Sequence, residues 1–295
     1  MPQRRTLVSQ TVSINGRGLF TGEHTSVIIA PASAGGIRFQ RRDLPGRPEV
    51  DALIANVAKD PTEAGLPAGF PARNTILVNR DEPGCSVLTV EHVLSALWAL
   101  GVTDAIVAVD GPEVPILDGG ASEFVTNMLH VGLGNIGWVD PIELTREIVV
   151  EDGKGGRIVG RPTSDPVPEF IYELDYGANA PIPPQAASWS GDTGAYVSQV
   201  GPARTFCLRA EAEAMRQMGM FKDFTPEDML VIDDKGSAID NAFRFHDEPA
   251  RHKLLDLIGD LALAGVPIHG QITATRSGHA LTHAFCRELL TVSGR

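Results

Sequence analysis

His252, Asp256 and Asp260 fall at intervals of four residues in the stretch "RHKLLDLIGD". On a helix that spacing stacks side chains along one stripe. Leu254, Leu255, Ile258 and Leu261 recur at helical spacing beside it and would turn toward a core. An imidazole and two carboxylates in that position have two readings. One is a solvated flank that carries a histidine; the other is a metal site or an acid–base site. A second stretch, "LTVEHVLSALWAL", sets Glu91 and His92 side by side at the start of a predicted helix, with Thr89 as its expected N-cap. A first-turn glutamate is ordinary helix chemistry, because free N–H groups and the dipole favour an anion there. Next to a histidine it gains a second reading, as a base acting on a metal-activated water.

A catalytic zinc commonly takes three ligands from His and Asp/Glu and keeps one position open. His252 and Asp256, one turn apart, would supply two of them, and His92 is the best candidate for the third. The pattern is not His-Glu-x-x-His, so the zincin motif lends no support. In "TATRSGHALTHAF", His279 follows Ser-Gly after a predicted strand. Alone it reads as a surface or capping histidine; with Asp260 to orient it, it becomes a general acid or an electrostatic stabiliser. In "GPARTFCL", Thr205 offers a hydroxyl to an oxyanion and Phe206 a pocket wall, the plain alternative being a surface threonine and a core phenylalanine. Arg204 reads as structural. His24, His130, His246, His269 and His283 read as structural or solvent-facing, with His246 the nearest of them to the candidate site in sequence.

These side chains need a scaffold to bring them together. The chain has 295 residues, 43% of them hydrophobic, which suits a globular protein with room for two cores. A formal net charge of −12 argues against non-specific nucleic-acid binding. Cys85, Cys207 and Cys286 show no Cys-x-x-Cys spacing and suit a reducing compartment. No signal peptide and no apolar run of transmembrane length is evident, so the expected location is cytoplasmic. "TSVIIAP", "RPEVDALIANV", "DAIVAVDG" and "REIVVEDG" read as strands. Residues 90–101, 121–131, 207–219 and 251–264 read as helices. The stretch 177–195 reads as a long loop, and 132–142 as a connection between domains.

A weak internal echo divides the chain. "EHVLSALWALG" precedes "DAIVAVDG" and "GGASEFVTNML"; "RHKLLDLIGDLALAG" precedes "GQITATRS" and "GHALTHAFCRELL". Each run goes helix, glycine, strand, glycine, helix, with a histidine near the opening of its first helix. Chance similarity is the alternative. The strands and helices alternate without regular βαβ units, which points to α+β layers.

"TVEHVLSAL", "PEVPILDGGASEF", "ARTFC", "RHKLLDLIGDL" and "SGHAL", in this order and spacing, resemble the UDP-3-O-acyl-N-acetylglucosamine deacetylase family, the zinc hydrolases of lipid A biosynthesis. The opening "RRTLVSQTVSINGRGLFTGE" is similar to the family's first strands and glycine turn. The resemblance implies an α+β fold of two domains with similar topology, residues 1–135 and 136–295. Each would be a β-sheet layer with helices, the helices packed between the two sheets, and an insert in each domain. The second insert, near 207–235, would form the acyl-chain tunnel. It implies His92, His252 and Asp256 as ligands of zinc, a donor set that ferrous iron also accepts. It implies Glu91 as general base, His279 held by Asp260 as general acid or as stabiliser of the oxyanion and leaving amine, and Thr205 on the oxyanion. Lys253 would contact the sugar or diphosphate, and Phe206 would pack near the glucosamine ring.

Three departures stand out. The family has His where "GLFTGE" has Phe20, Gly-Gly-Ser where this chain has Asp223-Phe224-Thr225, and Asp-Gly-Ser where it has Asp118-Gly119-Gly120. Asp223, Glu227 and Asp228 are expected to add negative charge where an anionic nucleotide approaches. The leading reading is removal of acetate from the small-molecule UDP-acyl-sugar. The alternatives are the same chemistry on another N-acetylated sugar or acyl-sugar, and a non-catalytic binder of a metal or a nucleotide sugar.

Overall fold

The computed structural model describes residues 2–71, 73–164, 167–221 and 223–295. Two mixed sheets form an α+β fold. The first runs Val12–Arg17, His24–Pro31, Ala105–Val109, Ile37–Arg41, Glu49–Asp51 across its width. The second runs Ile148–Glu151, Arg157–Arg161, Ile268–Thr275, Pro168–Leu174, Gln185–Trp189, with Ile142–Glu143 adding to its central strand. In each sheet one hairpin forms each flank and the strand latest in sequence enters the middle. That late strand is antiparallel to one neighbour and parallel to the other. Alternation explains the inward faces: Val27 and Ile29, then Ala105, Val107 and Val109, are fully buried.

In each half one helix precedes the central strand and one follows it. Ser122–Val131 lies on Val12–Arg17, and His279–Ser293 on Ile148–Glu151 and Arg157–Arg161. The two helices that precede the central strands, Glu91–Ala99 and Glu248–Leu261, pack on each other between the sheets. Both are buried nearly all round, so the stripe of His252, Asp256 and Asp260 is no solvated flank. Gly259 makes the crossing close. A Cβ there would lie 2.0 Å from the Glu91 carbonyl oxygen, a distance no other residue tolerates without moving one helix.

Several expectations change. The segment 132–142 is not an unpatterned connection. Leu133–Val139 is a strand, paired antiparallel with Gln3–Val8 at the other end of the sequence. Only Glu49–Asp51 of "RPEVDALIANV" is strand, and Ile54–Asn56 is a short 3-10 turn. The loop 177–195 holds the edge strand Gln185–Trp189. The fourth helix spans Arg209–Gln217, inside a βαβ unit whose parallel strands are Phe206–Leu208 and Leu230–Ile232. In the first half the corresponding excursion holds an antiparallel hairpin, Ile76–Val78 with Ser86–Leu88. Among the described residues no helix is long and apolar enough to cross a membrane.

Candidate metal centre and active site

The Glu91 helix opens without the expected cap. Its N-cap position is Val90, and Thr89 sits at φ +60°, a left-handed conformation that costs a β-branched residue energy. The Thr89 side chain turns away from the helix. Its hydroxyl donates to Glu113 Oε1 at 2.8 Å and accepts from Asn74 Nδ2 at 3.0 Å. Glu113 is fully buried, and burial pushes its carboxyl up even though four donors pull the other way. Those donors are the Thr21 and Phe20 amides and the Thr89 and Thr21 hydroxyls. One carboxylate thereby fixes both the "GLFTG" turn and the entry to the Glu91 helix.

At the helix crossing, His92 Nε2 lies 3.6 Å and His252 Nε2 3.3 Å from Asp256 Oδ1. The two rings are edge-on, with centroids 5.0 Å apart at 81°. The three donor atoms lie within 4.8 Å of one another, and all three residues are buried. The Nδ1–H of His252 donates to the Ala203 carbonyl at 3.1 Å, which leaves its Nε2 lone pair facing the cluster. Lys253 Nζ donates to Asp256 Oδ2 at 2.9 Å, whereas Asp256 Oδ1 is buried with no hydrogen-bond partner. An orphaned carboxylate oxygen facing two imidazole nitrogens fits a divalent cation. Burial opposes the Asp256 charge, but the charged Lys253 ammonium overcomes it and holds the carboxyl below its usual range. Burial keeps His252 neutral, down to about 3, as a ligand must be.

Glu91 stands beside this cluster. Burial lifts its carboxyl to about 7 against the pull of His279 and His92. The Thr75 amide donates to Glu91 Oε2 at 3.0 Å. Across from it, His279 Nδ1–H donates to Asp260 Oδ2 at 2.8 Å, and His279 Nε2 lies 3.9 Å from Asp256 Oδ2. Burial works against an imidazolium there, yet the Asp260 charge prevails and raises His279 to about 9. Asp260 is correspondingly held ionised: His279 and His283 outweigh its desolvation.

Glu91, His92, His252, Asp256 and His279 open on one cavity of about 500 Å³, and Asp260 and Thr75 stand behind its lining. Thr205, Phe206 and Lys253 line it, and the Phe206 ring stands edge-on to His252 at 6.3 Å. Burial lowers the Lys253 ammonium, but Asp256 overrides this and raises it, so the lysine is charged and tied to the carboxylate. Opposite lies an apolar wall of Leu19, Phe20, Ile116, Phe221 and Met229. Phe20 packs on Phe70 at 5.4 Å and on Phe221 at 5.9 Å. The 221–229 loop thus reaches the cavity through Phe221 and Met229. Of its acids, Asp223 lies 3.5 Å from Arg17, Asp228 accepts from Thr225, and Glu227 is exposed.

Arg204 is structural. It forms a buried ion pair with Glu248 at 2.8 Å. Cys85, Cys207 and Cys286 are free and buried, and the His246 side chain is 91% exposed. His283 is not an isolated structural histidine. It lies buried one turn beyond His279 with Nε2 3.4 Å from Asp260 Oδ1, so Asp260, His279 and His283 form a second group with ligand-like spacing. The Thr75 hydroxyl sits among them, 2.5 Å from Asp260, 3.0 Å from His283 and 3.3 Å from His279. A hydroxyl already fills the place an ion would take. Sequence reasoning missed Thr75, Glu113 and His283. Only His283 left a signal, its position four residues after His279.

The family model for UDP-3-O-acyl N-acetylglycosamine deacetylases matches residues 4–291. The chain belongs to the UDP-3-O-acyl N-acetylglycosamine deacetylase family. A relative named UDP-3-O-acyl-N-acetylglucosamine deacetylase from Geotalea uraniireducens is 33% identical over 96% of this chain and 87% of its own length. One of the same name from Synechocystis sp. is 35% identical over 93% of this chain and 94% of its own. The deacetylase family is one of metalloenzymes, and the buried His/Asp cluster at the helix crossing provides a place for such an ion.

Proposed function

We propose that this protein hydrolyses the N-acetyl group of UDP-3-O-acyl-N-acetylglucosamine, releasing acetate, as a step of lipid A biosynthesis in the cytoplasm. The observation that carries this reading is the meeting, in one cavity, of a three-donor metal cluster, a carboxyl lifted to about 7 and an imidazolium held by a buried aspartate. His92, His252 and Asp256 would hold zinc. When bound, the ion supplies Lewis acidity toward the acetamide carbonyl and toward water.

Glu91 accepts a proton from water as the water oxygen attacks the acetamide carbon. The Thr205 hydroxyl donates to the carbonyl oxygen as negative charge gathers on it. The carbon–nitrogen bond then breaks, and the amine leaves with a proton from His279 Nε2 or from the newly protonated Glu91. Acetate and a free amino sugar result. Lys253 lies at the cavity face where a sugar hydroxyl or phosphate would approach, and the apolar wall suits an acyl chain. The two sheets with their helices serve as two domains, 1–135 and 136–295.

The purified zinc-loaded protein should release acetate from the UDP-3-O-acyl substrate, and chelation should stop it. A protein that holds zinc and releases no acetate from any N-acetyl sugar would be a binder and would end this proposal. A second reading, the same chemistry on another N-acetylated sugar, is favoured by Phe20 and Asp223-Phe224-Thr225 standing where the family pattern has His and Gly-Gly-Ser. Equal turnover of the substrate with and without its 3-O-acyl chain would select it.

A further inference from the structure

Thr75 is fully buried at the start of the hairpin that precedes the Glu91 helix, and it touches both proton-handling groups. Its amide donates to Glu91 Oε2 at 3.0 Å, and its hydroxyl lies 2.5 Å from Asp260 Oδ1. Glu91 belongs to the first half of the chain, and Asp260 and His279 to the second. Thr75 bonds to both, beside the helix crossing itself.

The directions of the bonds follow from the chemistry of the partners. An ionised Asp260 only accepts, so the Thr75 O–H proton points at Asp260 Oδ1. The oxygen lone pairs then face His283 Nε2 at 3.0 Å, which must be the donor. His279 Nδ1–H takes the other carboxylate oxygen at 2.8 Å. The chain therefore runs from His283 N–H to Thr75 O–H to Asp260, and from His279 N–H to Asp260. With both Asp260 oxygens committed, the His279 ring is fixed with Nε2 toward the cavity.

We propose that Thr75, seconded by His283, is a positioning residue that sets the general base and the imidazole acid at a fixed separation across the two halves. This rests on the hydrolytic reading above. Thr75 touches neither the metal donors nor the cavity, so its loss should lower kcat and leave zinc content and KM unchanged. A displacement of about an ångström at reacting groups costs on the order of a hundredfold.

The test is acetate release by the zinc-loaded wild type, Thr75→Val, Thr75→Ser and His283→Gln. Thr75→Val keeps the shape and the amide but removes the hydroxyl, and kcat should fall roughly 30- to 100-fold. Thr75→Ser restores the hydroxyl and should return to within about threefold of wild type. His283→Gln should fall in between. A Thr75→Val enzyme with wild-type kcat, or one whose defect lies in KM or zinc content, overturns the proposal, as does a serine variant that fails to recover.

A second readout is independent of the substrate. Proton–nitrogen correlation spectra of the zinc-loaded protein should show His283 protonated on Nε2 and protected from exchange in wild type and Thr75→Ser, and unprotected in Thr75→Val. Protection of His283 that is identical in all three overturns it. If no acetate is released by wild type, the hydrolytic reading fails, and the spectra alone then decide whether Thr75 organises this group.

Discussion

The two halves share one topology and contribute unequally to the site. In each, two hairpins flank a late central strand, with one helix before it and one after. The Glu91 helix offers chemistry only at its first turn, through Glu91 and His92. The His252 helix offers it along three turns, through His252, Asp256 and Asp260. The helix after the central strand brings His279 and His283 in the second half, whereas Ser122–Val131 lines no part of the cavity in the first. A repeated scaffold supplies two buried helices whose crossing can be dry and rigid. Of the three candidate metal donors only His92 then comes from the first half, and the candidate base and acid, Glu91 and His279, come from opposite halves.

That asymmetry can be broken most severely at the ligand stripe. His252→Ala should lose most of its zinc, and turnover should fall roughly 100-fold or more; metal analysis after gel filtration checks it. Zinc at wild-type occupancy would show that the second half does not dominate the donor set. Glu91→Gln should spare the metal and lower kcat by about 10²- to 10⁴-fold, since only the first half's base is removed. Metal analysis alongside acetate release separates the two effects.

Gly259→Ala attacks the crossing itself, where the new methyl would meet the Glu91 carbonyl. A loss of about 3 kcal/mol in urea unfolding is expected, together with weaker zinc binding. Smaller is a pH effect in the metal-free protein. His279 is raised to about 9, so its contribution is complete below about 6.5, the unfolded value, and is lost as pH rises through about 9. Glu91, raised to about 7, acts with the same sign over a lower window that opens near 4.5. The urea midpoint should fall on raising pH through the upper window, and Asp260→Asn should flatten that fall. The smallest change is expected from Phe20→His, which should shift the preference for acylated over deacylated substrate by less than about tenfold.

Much of this site lies in short-range patterns. His252, Asp256 and Asp260 keep the helical interval, and Glu91 and His92 are adjacent, so both sets are legible without coordinates. The repeated order of helix, strand and helix likewise forecasts the two related sheets. What could not be read depends on distant partners. Leu133–Val139 becomes a strand because Gln3–Val8 comes to it from the other end of the chain. Thr89 looks like a cap until its backbone is seen at φ +60° and its hydroxyl on Glu113. Thr75 has no motif: the groups its hydroxyl meets, Asp260, His279 and His283, lie 185, 204 and 208 positions away. Asp223, Glu227 and Asp228 were expected to add negative charge near a nucleotide; the partners two of them take, Arg17 for Asp223 and the Thr225 turn for Asp228, could not be read from sequence.

The segment 203–206 is bolted to the His252 helix twice, through Arg204 on Glu248 and through the Ala203 carbonyl on His252. Phe206 therefore does not move alone. A bulky inhibitor that shoulders this ring aside must tug on the His252 imidazole, and by reciprocity a cation bound at that imidazole would stiffen the pocket against the inhibitor.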